Sequence, residues 1–234
     1  MKHLVVLTGA GMSAESGLST FRDSGGLWDK YPVQQVATPE GFHANPKLVT
    51  EFYNERRKQL TDVQPNEGHR LLAELEKQYR VSIVTQNVDN LHERAHSTHV
   101  IHLHGELTKV TSSWDPNNPK YIRELAPEEY DVSYTDKAAD GSPIRPFIVW
   151  FGESVPLIEK AAELAEQADI FLIIGTSLNV YPASGLINYV PQGTPIYLID
   201  PKEVSVSLTY DVHVIQKGAS EGVKEFGKLI GAWE

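Results

Sequence analysis

The sequence predicts an α/β fold: a parallel sheet with helices on both faces, plus a smaller inserted lobe. Three observations carry that prediction. Four short runs rich in Val and Ile, at residues 4–7, 81–84, 170–174 and 196–199, are apolar without alternation, as strands buried on both faces are. Helical periodicity lies between them: residues 69–79 place Leu71, Leu72 and Leu75 on one stripe, and residues 157–167 do the same with Ile158, Ala161, Ala162 and Ala165. The alternation of the two kinds of segment is that of strand, crossover helix and parallel strand.

The first run, residues 4–7, is too short for a signal sequence, and no stretch approaches the roughly 18–20 apolar residues of a membrane span. A cytoplasmic protein with no membrane partner is expected. Two stretches then break the alternation. Pro32, Pro39, Pro46 and Pro65 surround a helix expected at residues 47–60, and residues 109–145 are turn-rich, with Asp115-Pro116-Asn117-Asn118-Pro119 and Asp140-Gly141-Ser142-Pro143. Together they define the expected lobe, residues 29–68 and 109–145, against a large domain of residues 1–28, 69–108 and 146–234 within one catalytic core. The length of 234 residues suits one domain carrying such a lobe. With 21 Lys and Arg against 31 Asp and Glu, the chain carries a formal charge of −10, which argues against nucleic acid as a partner. Cysteine is absent, so disulfides, thiolate metal sites and cysteine nucleophiles are excluded.

The turn after the first run, Thr8-Gly9-Ala10-Gly11-Met12-Ser13-Ala14-Glu15-Ser16-Gly17, admits two readings. It is either a tight turn of small residues or a cradle in which glycines let the backbone approach a pyrophosphate, as in a Rossmann-like site. Ala14 falls at the third small position of the dinucleotide fingerprint. Asp29 stands about where an acidic ribose ligand is expected, but in a loop.

Further motifs narrow the choice. The glycine turn followed by Thr20-Phe21-Arg22, then Thr85-Gln86-Asn87-Val88-Asp89-Asn90-Leu91-His92, His104-Gly105-Glu106-Leu107, Arg145-Pro146-Phe147-Ile148-Val149-Trp150-Phe151-Gly152-Glu153 and Gly175-Thr176-Ser177-Leu178-Asn179-Val180-Tyr181-Pro182-Ala183 come in an order that resembles the sirtuins. These are Sir2-type NAD-dependent protein-lysine deacylases, and the likeness, to a bacterial class III type, spans nearly the whole chain.

The resemblance implies NAD as cofactor, acylated lysine side chains of proteins as partners, and transfer of the acyl group to ADP-ribose with release of nicotinamide. Such chemistry needs proximity, exclusion of water and support for a cationic sugar centre. By the same resemblance, Gly9, Ala10 and Gly11 hold the pyrophosphate, with Glu15 and Ser16 of the same turn, while Phe21 shields the ribose face and Arg22 holds the following loop. Gln86, Asn87 and Asp89 line the nicotinamide pocket; read without the resemblance, Asn87 and Asp89 are better taken as helix caps or turn formers. His104 is the expected base, since an imidazole with a pKa near ~6.5 can take a proton from a ribose hydroxyl. Gly175, Thr176 and Ser177 meet the adenosine ribose and phosphates, Asp200 stands where the family carries Asn, and Ala219 lies in the segment that contacts adenine. An extended segment at residues 147–151 is expected to pair with the substrate peptide, with Val149, Phe151, Gly152 and Glu153 flanking the lysine.

The set Ala37, Tyr53 and Arg56 resembles that of sirtuins accepting succinyl and malonyl groups: Ala37 leaves room, Arg56 pairs with the distal carboxylate and Tyr53 donates to it. Arg57 and Arg70 have no such match and read as surface charges. Most sirtuins bind a structural zinc through four Cys between residues 108 and 145; here no zinc is expected, and packing around Trp114, Tyr121, Tyr130 and Tyr134 is expected to stabilise the lobe. A metal held by His92, His96, His99, His102 or His104 is the competing reading of that cluster, with His102 and His104 on one face of a strand, although the H-E-x-x-H spacing is missing. Two alternatives to deacylation remain: ADP-ribosyl transfer to a protein on the same NAD site, and a binding module without turnover.

Overall fold

The structure is a computed structural model and describes residues 1–19, 30–176, 178, 180–204 and 210–233. A six-stranded sheet sets β3 (Val100–His102), β2 (Arg80–Thr85), β1 (His3–Thr8), β7 (Ile170–Ile174), β8 (Ile196–Ile199) and β9 (Val212–Ile215) side by side, every neighbouring pair parallel. The four apolar runs are its four inner strands. Of the two edge strands, β3 falls where a strand carrying His102 was expected, and β9 was not expected. Both are short and mix His with Val and Ile, because an edge strand is not covered on both sides.

Side chains alternate across the strands into two cores. On one face Leu4, Val6, Ile83, Leu172 and Ile174 pack with Leu72 and Leu75 of α5 (Glu67–Leu75) and Val223 and Phe226 of α8 (Ala219–Leu229). On the other, Val5, Leu7, Val84, Phe171 and Ile173 meet Ala161 and Ala165 of α7 (Ile158–Glu166) and a 3₁₀ helix at Ala183–Tyr189. The helix expected at 69–79 starts two residues earlier, because the Asn66 side chain and His69 form a capping box, and it ends at Leu75. That expected at 47–60 is α4 (Pro46–Asp62), with Pro46 in its first turn and Asn45 Oδ1 accepting from the Leu48 amide at 3.0 Å. Among the described residues, no helix is long and apolar enough to cross a membrane.

A second, antiparallel sheet orders β5 (Arg123–Glu124), β4 (Gly105–Ser112) and β6 (Ile144–Ile148). Its core is Val110, Leu125, Tyr130, Val132 and Ile144. The expected aromatic packing therefore needs correction: Tyr130 is buried, but Trp114 is 72% exposed and Tyr134 47% exposed. A polar knot ties the lobe at Ser112, Asp140 and Ser142. Ser112 Oγ donates to Asp140 Oδ2 at 2.6 Å and accepts from the Trp114 and Asp115 amides at 3.0 Å, while Ser142 Oγ donates to Ser112 Oγ at 3.0 Å. Hydrogen bonds from Ser112 and Ser142 hold the Asp140 carboxyl below its usual range.

Arg57 is likewise not a surface charge. It is 1% exposed; Nε donates to the Leu107 carbonyl at 2.7 Å and Nη1 to Asn54 Oδ1 at 2.8 Å, stitching α4 to β4. Burial pulls its pKa down to about 10. Arg70 does lie on the surface, 3.5 Å from Glu67.

Candidate active site

In the sheet, the chain's order reverses between β1 and β7, and open α/β sheets place ligands in the crevice outside the carboxyl ends of the strands at that point. The turn leaving β1 crosses it. The Gly9 amide donates to the Ile174 carbonyl and the Gly11 amide to the Gly175 carbonyl, both at 2.9 Å. A Cβ on Gly9 would stand 2.7 Å from the Gly175 oxygen, and one on Gly11 would stand 2.6 Å from the Gly175 Cα. Glycines are thus required for the two loops to touch, and they leave a cradle without side chains. Ala14 does not serve the helix-to-strand packing of the fingerprint: it is exposed at the end of the five-residue helix α1 (Ala10–Ala14). Glu15 turns to the first turn of α8, where its carboxylate accepts from the Ser220 amide and hydroxyl, beside the buried Ala219. Ser16 Oγ accepts from Asn66 Nδ2 at 3.1 Å. Phe21, Arg22, Asp29 and Ser177 lie outside the described residues.

The end of β2 supplies the next wall. Thr85 Oγ1 accepts from the Asn87 amide at 3.0 Å, and Asn87 Nδ2 reaches back to the Gly9 carbonyl at 3.0 Å and Ser13 Oγ at 3.1 Å. Ser13 Oγ donates to Asp89 Oδ2 at 2.9 Å, and Asp89 Oδ1 accepts from the Leu91 amide at 3.1 Å. Asp89 is thus a turn former, as its sequence admitted. One oxygen holds the turn into α6 (Leu91–Arg94) and the other faces the glycine turn. Burial pushes its carboxyl up, against the pull of the Leu91 and Ser13 bonds. Ser13, which lines a cavity here, was missed as a site residue; the signal was a hydroxyl among the small residues of the glycine turn, which also carries Thr8 and Ser16. Gln86 Nε2 donates to Thr176 Oγ1 at 3.2 Å, joining this loop to the one after β7, and Asp200 follows β8 on the same edge.

His104 follows β3. The expectation that it shares a strand face with His102 fails, because β3 stops at His102 and His104 sits in the turn into β4. Gly105 has φ +82, and a Cβ there would collide with the Phe147 carbonyl, so only glycine lets β6 pass this close to His104. His104 Nδ1 lies 3.0 Å from the Gln86 carbonyl, so it carries the proton and Nε2 is left as an acceptor. Burial pulls the His104 pKa down, and the Gln86 bond opposes that only in part.

His102, His92 and His99 have structural partners. His102 donates to the Asn87 carbonyl at 2.9 Å and to Glu93 at 2.8 Å; burial works against its charge, but the Glu93 carboxylate outweighs it and raises the pKa. His92 packs against His69 with ring centroids 4.8 Å apart, and burial pushes His69 down to about 4. His99 contacts Ser82 Oγ at 2.8 Å. His96 has φ 73, a left-handed backbone conformation that favours glycine. Among the described residues, no three His, Asp or Glu side chains converge as metal ligands.

A cavity beside the glycine turn is lined by Ala10, Ser13, Asn87, Asp89, Leu107 and Arg56. Arg56 thus faces the same space as Asn87 and Asp89, and its guanidinium lies 5.7 Å from the Phe52 ring centroid. His104 is not in the cavity wall and stands one strand over. Ala37, Tyr53 and Trp150 share one buried apolar cluster. Ala37 ends α2 (Val33–Val36), and its carbonyl accepts from the Phe151 amide at 3.0 Å; the Val149 amide donates to the His104 carbonyl at 2.9 Å. The extended segment expected at 147–151 is in fact β6, which begins earlier and ends at Ile148. Of the residues expected to flank the lysine, Phe151 is 46% exposed and Gly152 is open, but Glu153 turns inward. Its carboxylate binds Arg145 Nη1 at 2.7 Å and Nη2 at 3.0 Å and accepts from the Trp150 amide at 2.8 Å.

A side-chain-free cradle at the reversal point of a parallel sheet, walled by amide and carboxylate side chains, defines a Rossmann-like nucleotide-binding protein. The chain belongs to the Sir2 family, whose model matches residues 9–182. It is 68% identical over 230 residues, 98% of each chain, to an NAD-dependent protein deacylase of Bacteroides thetaiotaomicron. A deacylase of the same description from Helicobacter pylori is 49% identical over 225 residues, 96% of each chain. Among solved structures, a Sir2 homolog–NAD complex is 37% identical with a TM-score of 0.86, covering 99% of this chain and 90% of that one. A Sir2–p53 peptide–NAD+ complex is 28% identical with a TM-score of 0.80, covering 98% and 94%.

Proposed function

We propose that this chain, an NAD-dependent protein deacylase, is of the class III type and removes succinyl and malonyl groups from lysine side chains, with some activity on acetyl-lysine. The observation that carries this reading is Arg56, which lines the cavity together with Asn87 and Asp89 and stands one helical turn after the buried Tyr53. A guanidinium there matches a distal carboxylate in charge and geometry.

NAD, when bound, supplies an electrophilic ribose carbon with a neutral leaving group. The chain's residues do the rest. The glycine turn, with Ala10, receives the pyrophosphate, and Gly175, Thr176, Asp200 and Ala219 border the adenosine end. Asp89 accepts from the carboxamide NH₂, and Asn87, held by Gly9 and Ser13, positions the ribose. His104 Nε2 takes a proton from a ribose hydroxyl, so that this oxygen can carry the acyl group away from lysine. Val149, Phe151 and Gly152 border the peptide.

Arg56→Met is expected to raise KM for a succinyl-lysine peptide by roughly 10–100-fold, the range of a charge-assisted hydrogen bond, and to raise it far less for the acetyl-lysine peptide of the same sequence. Steady-state kinetics on the two peptides check it. Equal losses on both would contradict the role.

A further inference from the structure

We propose that Trp150 is a specificity-determining positioning residue: its indole N–H fixes the Tyr53 hydroxyl as a hydrogen-bond donor toward the acyl group. The inference rests on the reading of Tyr53 and Arg56 as the acidic-acyl pocket.

Trp150 Nε1 lies 3.0 Å from Tyr53 Oη. An indole can only donate, so the phenol oxygen must accept, and its own proton is directed elsewhere. Burial pushes the Tyr53 phenol up, so that proton is retained at neutral pH. With the indole on its acceptor side, the phenol is biased to present its O–H to a ligand, which suits a carboxylate and gives an acetyl methyl nothing.

The indole is itself held on several sides. Trp150 is 2% exposed, and its ring lies 5.3 Å from that of Phe42. The Arg145 guanidinium stacks 3.5 Å from the indole centroid. Glu153 binds that guanidinium and also the Trp150 amide. The next amide, that of Phe151, is tied to Ala37. The Tyr53 hydroxyl is thus oriented before any acyl group arrives, and little ordering remains to be done on binding.

The test is steady-state kinetics on succinyl- and acetyl-lysine peptides of one sequence. Trp150→Phe keeps a ring against Arg145 and removes the N–H. It should lower the succinyl-to-acetyl ratio of kcat/KM roughly 3–10-fold, as expected for one neutral hydrogen bond, with the loss carried by KM. In the Tyr53→Phe background the same change should lower the ratio no further, since the two groups act as one. Benzothienylalanine at position 150, which keeps the indole's shape and drops only the N–H, repeats the test if the phenylalanine variant does not fold. An unchanged ratio, an equal loss on both peptides, or additive effects with Tyr53→Phe would overturn the proposal. Arg56→Met is run alongside. If Arg56→Met is selective and Trp150→Phe is not, only the role of Trp150 falls; if neither is selective, the acidic-acyl reading falls with it.

Discussion

His104→Ala is expected to bind NAD and lose roughly two to four orders of magnitude of deacylation, the contribution typical of a positioned general base. Binding should survive because the ring is not in the wall of the cavity beside the glycine turn. Activity should not, because the Gln86 carbonyl fixes the proton on Nδ1 and leaves Nε2 as the acceptor. The pH dependence follows from the same geometry. Only the neutral imidazole accepts a proton, and burial places its pKa below the ordinary value, so the acid limb of kcat/KM should fall below pH ~6.5. Calorimetry with NAD and initial rates on an acylated peptide check both statements. Full activity in the alanine variant would remove the assignment.

Glu153→Ala is expected to destabilise the protein by about 3 kcal/mol, the lower part of the range for breaking a buried ion pair. Arg145 is 5% exposed in its side chain and Glu153 23%, so loss of the carboxylate leaves a guanidinium buried over Trp150 without its counter-charge. It also takes away the acceptor of the Trp150 amide. Glu153→Gln keeps the shape and one acceptor and should cost less. Urea unfolding at unchanged slope measures both. A loss under ~1 kcal/mol for the alanine variant would mean the pair behaves as a solvated surface bridge.

Much of the sheet was legible because burial on both faces writes itself as uninterrupted Val and Ile; Ile170–Ile174 and Ile196–Ile199 are strands to the residue. The edge strand β9 and the strands inside the small lobe were not, since their stability comes from contacts between residues distant in the chain. The knot of Ser112, Asp140 and Ser142 joins two turns, and no local pattern announces it. Trp114 shows the converse: an aromatic side chain does not state which way it points. Arg56 and Arg57 are neighbours about 100° apart on α4, and only the packing tells that one faces the cavity and the other the lobe. The site motifs fall on strand ends and glycine turns, which are local features. What each side chain binds there was less visible: Glu15 reaches Ser220, Glu153 reaches Arg145, and Ser13 links Asn87 to Asp89.

Mass spectrometry of the products formed from NAD and a succinylated peptide is the most direct test of the proposed chemistry. O-succinyl-ADP-ribose, nicotinamide and unmodified lysine in equal amounts are the predicted outcome. Protein carrying ADP-ribose without any acylated ADP-ribose, or NAD left intact beside an unchanged peptide, would contradict it.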